Sequence, residues 1–197
     1  MALNKSGLDS DFEKIFNIDK SPEVNNEPHC AQLLTDAIVK YLGDAKIGGL
    51  SAPGINPTGA AGGPLPDPAF GSVAGQPMSP MTPPNANASI MKGGLEGSLT
   101  GNAAAGVKVW AAADAALAAY VAATYTGFSI GGYTAMGATA PGSVDLGSIL
   151  DSESTDAADI ASKLANHLHS FFTGCIFTGS YLMGAFVGPS PHVAPLE

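Results

Sequence analysis

The stretch TDAADIASKLANHLHSFFTGCIFTGSYLMGAFV, residues 155–187, decides the fold that the sequence predicts. Its bulky residues recur every three or four positions, which is the spacing that places them on one face of a helix. They are Ile160, Leu164, Leu168, Phe171, Cys175 and Leu182. The stretch therefore predicts one long C-terminal helix, polar where it begins and apolar where it ends, that serves as a packing scaffold and not as an active site.

Two short amphipathic helices are predicted near the N-terminus. In residues 6–18, Phe12 and Phe16 lie on one face, and Ser6 and Asp9 have the spacing of a capping box. A second helix is predicted to begin at Pro28, since proline is favoured in the first turn, and to end at Gly43. Its apolar stripe consists of Leu34, Ile38, Tyr41 and Leu42.

An alanine-rich helix is predicted over residues 103–124, with Asn102 as its N-cap. Twelve of the 21 residues from 103 to 123 are alanine, the strongest helix former. Trp110 and Leu117 belong to its bulky stripe. Residues 126–154 are interpreted as a glycine-rich connection that contains one helical turn near residues 144–150.

Glycine and proline dominate the chain between these helices. Residues 48–101 hold 12 glycines and nine prolines, a composition that favours an extended, polyproline-like arm. Pro189, Pro191 and Pro195 likewise predict an extended tail. The expected organisation is an N-terminal helical segment (1–47), the arm (48–101), a helical core (102–188) and the tail (189–197), a mainly α fold with extended arms.

Composition excludes some partners. The chain of 197 residues has a formal net charge of −9, and all eight of its basic residues are lysines. Nucleic-acid surfaces need clustered cationic side chains, usually with arginine, so we expect no nucleic-acid partner. Only 13% of the residues are charged while 45% are hydrophobic, a composition that is not typical of disordered chains. A surface with so little charge favours contact with other protein chains.

No motif indicates a reaction, a cofactor or a metal. The glycines match neither dinucleotide nor phosphate-loop spacing, and the acidic cluster at 151–159 is interpreted as a match to the helix dipole. His167 and His169 diverge by about 200° on a helix, so they cannot share an ion. Cys30 and Cys175 have no ligand spacing, and their pairing stays open. We expect no enzyme, although a soluble enzyme whose site escapes sequence reasoning is a third alternative.

Residues 171–188 leave a second alternative open. These 18 residues carry no formal charge, which meets the minimum length for a helical membrane span. Thr173, Thr178, Ser180 and the glycines lower the hydrophobicity, and no lysine follows. A buried interface helix is therefore preferred over a membrane-inserting one.

In overall character the chain resembles small accessory structural proteins of tailed-bacteriophage particles, found in the neck, tail, baseplate or capsid coat. The features that carry this resemblance are the arm, the alanine-rich helix and the tail. The resemblance implies a virion component, assembled in the host cytoplasm, that contacts copies of itself and other structural proteins through its helices and arms. It implies no small-molecule substrate. The residues expected at these interfaces are Phe12, Phe16, Leu34, Ile38, Tyr41, Trp110, Leu117, Leu164, Leu168, Phe171 and Leu182.

Overall fold

The described part of the chain is mainly α-helical, with one antiparallel sheet. A computed structural model describes residues 3–17, 26–43, 45, 85–105, 110–125, 129–130, 133–150, 156–183 and 186–195. The helices in these ranges are α1 (Lys5–Phe16), α2 (Glu27–Leu42), α3 (Ala88–Ala105), α4 (Ala111–Tyr125), α5 (Leu146–Leu150) and α6 (Ala157–Thr173). The strands are β1 (Ser129–Ile130), β2 (Tyr133–Thr139), β3 (Ile176–Met183) and β4 (Phe186–Pro195).

The two N-terminal helices confirm the sequence prediction to within about a turn. Helix α1 is capped by Asn4, whose side chain accepts a hydrogen bond from the backbone N–H of Gly7 at 3.0 Å, so the predicted capping role of Ser6 is wrong. Asn26 caps α2 in the same way through the N–H of His29 at 2.9 Å. Each cap satisfies a donor that has no partner inside its own helix.

A single apolar core joins the six helices. Helix α1 packs on both α6 and α2, α2 packs on α3, and α3 packs on α4. Helix α5 contacts both α4 and α6. Among the most deeply buried large side chains are Phe12, Phe172, Leu117 and Tyr120, each at most 1% exposed. Residues far apart in sequence therefore share one core within a single chain.

Helix α3 corrects two sequence predictions. It begins at Ala88, inside the predicted arm, and the predicted alanine-rich helix 103–124 corresponds to the end of α3 and to α4. Met91, Leu95 and Ser98 are buried at helical spacing, and this packing offsets the low helix propensity of the neighbouring glycines. This short buried stripe was not predicted because glycine and proline dominate the composition of 48–101 as a whole. The rest of the predicted arm, through residue 84, lies outside the described residues.

The long C-terminal helix predicted for residues 155–187 is also wrong. Helix α6 begins after its N-cap, Asp156, and ends at Thr173, with Gly174 as its C-cap, and residues 176–183 form β3. The sequence IFTGSYLM is rich in β-branched and aromatic residues, and its backbone pairs with β2 on one side and β4 on the other. The predicted tail is extended as expected up to Pro195, but residues 186–195 are paired as β4.

The strands form a meander in the order β1-β2-β3-β4. The predicted connection 126–154 contains β1 and β2 as well as α5. The register of β3 with β4 shifts between Gly179, opposite His192, and Tyr181, opposite Gly188. Pro189 and Pro191 lie within this irregularity, where a residue without an N–H is tolerated.

Candidate assembly surface

The residues predicted to form intersubunit contacts lie in the core of the single chain. Of the eleven, nine are at most 9% exposed, and Phe16 is half-buried against the same core. The nine are Phe12, Leu34, Ile38, Tyr41, Trp110, Leu117, Leu164, Leu168 and Phe171. Leu182 lies in β3. The helical stripes are therefore closed by the chain itself.

The junction of α2 and α6 shows how closely the core is fitted. The Tyr41 hydroxyl lies 2.7 Å from His169 Nδ1, and the Tyr41 ring also packs near Phe172 with centroids 6.2 Å apart. Burial raises the pKa of Tyr41 well above its usual value, so the phenol stays neutral. His167, two residues before His169, points elsewhere, with Nδ1 3.4 Å from the Val144 carbonyl oxygen. The two histidines serve separate packing contacts.

Helix α1 is fixed to its neighbours by polar contacts at its rim. Lys40 Nζ lies 2.5 Å from Asp11 Oδ2, and Lys5 Nζ donates to Asn166 Oδ1 at 2.6 Å. Burial opposes ionisation of Asp11, but the bonds from Lys40 and Lys14 outweigh it and lower the pKa of this carboxyl. Lys40 is 73% exposed, so the pair orients α1 and contributes little free energy.

Helices α3 and α4 cross at very short range. A Cβ placed on Gly94 would lie 2.2 Å from the Cβ of Ala116 and 3.0 Å from the Ala112 carbonyl oxygen. This approach brings the buried Ser98 hydroxyl within 3.2 Å of the Ala113 N–H, from which it accepts a hydrogen bond. Since the first N–H groups of a helix have no partner in that helix, Ser98 completes the start of α4.

A shallow groove lies where the 140–145 segment meets α6. It encloses about 380 Å³ and is lined by Ser143, Val144, Asn166, His167, Ser170 and Phe171. The Ser143 hydroxyl donates to Asp114 Oδ2 at 2.7 Å, so this hydroxyl is held by a carboxylate. Asp114 also accepts from the Leu146 N–H at 3.4 Å. These hydrogen bonds hold the segment that leads into α5. The role of Asp114 and Ser143 is therefore structural.

The two cysteines are separate thiols. Cys175 is 1% exposed, donates to the Phe171 carbonyl oxygen, and burial raises its pKa to about 12. Cys30 is half-buried, and burial followed by the charge of Glu27 raises its pKa. Both groups are therefore protonated near neutral pH, which makes them poor nucleophiles and poor metal ligands.

The exposed positions of the described helices carry small or polar side chains. Among the residues whose side-chain burial is described, none that is exposed has an apolar side chain larger than proline. The exposed positions of α4 are all alanine. They are Ala111, Ala112, Ala115, Ala119, Ala122 and Ala123. A surface of this kind contributes little burial to a contact, because alanine adds only one methyl group per residue.

The sheet differs from the helical body in its charge and its packing. Its four strands contain no Asp, Glu, Lys or Arg. Among the described helices, α4 is the one that packs substantially on the sheet, and it does so along β2. Strands β3 and β4 extend the sheet beyond that contact. We refer to β3 and β4, residues 176–183 and 186–195, as the outer hairpin.

Two residues at the end of β2 show which side of the sheet the helices cover. Ala138 is half-buried against the helical core, whereas Thr139 is exposed. The helices therefore cover the side of β2 on which Ala138 lies.

Strand β3 was missed in the sequence because the 3.6-residue spacing of 155–187 assigned its residues to a helix. Its β-branched and aromatic residues, together with the charge-free run, were the available signal.

Comparison with protein-family models, characterised proteins and solved structures finds no significant match to this chain. Within the described residues, no helix combines the length and the apolar character that crossing a bilayer requires. The 171–188 stretch, predicted as an alternative membrane helix, is divided between the end of α6, all of β3 and the start of β4.

Proposed function

We propose that this chain is a structural subunit of a multi-protein assembly, and that its outer hairpin supplies the contact with other subunits. The observation that carries the proposal is the contrast between the two parts of the fold. The helical core encloses its own large apolar side chains, while the hairpin carries no formal charge and extends past β2, the strand on which α4 packs.

The particle we propose is a tailed-bacteriophage virion, in which the chain is an accessory protein assembled in the host cytoplasm. Support for this choice comes from the sequence character: a low charge content, an alanine-rich helix and a glycine- and proline-rich segment at 48–84. The segment at 48–84 would add contacts with neighbouring subunits.

Sedimentation of the full-length chain with its native particle tests this proposal. We expect the wild-type chain to co-purify at a fixed copy number, with cross-links from residues 176–195 to neighbouring subunits. Gly97→Ala, an exposed change in α3 with open space around its Cβ, serves as the matched control and should be retained. A chain found only as a free protein in producing cells would refute the assembly role.

A further inference from the structure

We draw no further inference here: the strongest candidate, the row of exposed alanines along α4 that borders a groove lined by Asp114, Gly142 and Ser143, is a stripe of small side chains, and nothing in the described residues shows what covers it.

Discussion

Gly94 is the residue at which a single added methyl group should perturb the helical core most. An alanine there would place its Cβ 2.2 Å from the Ala116 Cβ, whereas carbon atoms in contact prefer about 3.5–4.0 Å. The two helices would have to separate by more than about 1 Å, because the neighbouring atoms belong to backbone and to a rigid methyl group. Overpacking of this kind costs about 1–3 kcal/mol, while the gain in helix propensity from Gly to Ala returns about 0.5–1 kcal/mol.

We therefore expect Gly94→Ala to lower the free energy of unfolding by up to about 2.5 kcal/mol, which corresponds to a Tm decrease of up to about 10 °C for a chain of this size. Gly93 and Gly97 are exposed and have open space where the added methyl group would lie. The same change at either position therefore measures the effect of helix propensity on stability without any overpacking. These two controls should gain about 0.5–1 kcal/mol. Urea unfolding followed by circular dichroism measures all three, and a Gly94→Ala protein as stable as Gly97→Ala would refute the close crossing.

Three further changes test other parts of the core. Ser98→Ala leaves the buried Ala113 N–H without its acceptor, so the free energy of unfolding in urea should fall by about 1–3 kcal/mol. The control, Ser89→Ala, changes an exposed residue and should alter that free energy by less than about 0.5 kcal/mol. Leu168→Asp buries an unpaired charge and should lower the free energy of unfolding by several kcal/mol, so circular dichroism should show that the chain itself no longer folds. The control, Ser170→Asp, places the same charge at an exposed position and should be tolerated. Stability should fall as pH rises from about 8.5 to 10, because the Cys175 thiol, with its pKa raised to about 12 in the folded chain, ionises only when unfolded. This slope is at most about 1.4 kcal/mol per pH unit, and Cys175→Ala should reduce it; an unchanged slope would contradict the burial of the thiol.

The sequence predicted those elements whose local signals agree with their packing. Helices α1 and α2 combine an apolar stripe with a polar cap or an early proline, and both were located to within a few residues. The first half of the C-terminal stretch, up to Thr173, was likewise predicted as helix because Leu164, Leu168 and Phe171 form its buried stripe.

Prediction failed where tertiary contacts override local preference. Cys175 and Leu182 continue the helical spacing by coincidence, but the backbone after Gly174 pairs with β2, a partner that no local pattern reveals. Helix α3 was missed because its glycines disfavour a helix, and Gly94 is there to permit the close crossing with α4.

The candidate surface could not be predicted for the same reason. Bulky residues at regular spacing indicate burial but not whether the partner is the same chain or another one, and Phe12, Trp110 and Leu168 proved to lie in one intrachain core. The sheet depends on the pairing of β2 with β3, strands that lie about 40 residues apart in sequence.

Hydrogen exchange of the full-length chain, measured as a dilute isolated protein and again in the assembled state, tests the central claim most directly. The account predicts that the amides of α6 are already protected in the isolated chain, because its core is closed internally, and that residues 176–195 gain protection on assembly. Protection of α6 that appears only on assembly, with no change at 176–195, would contradict it.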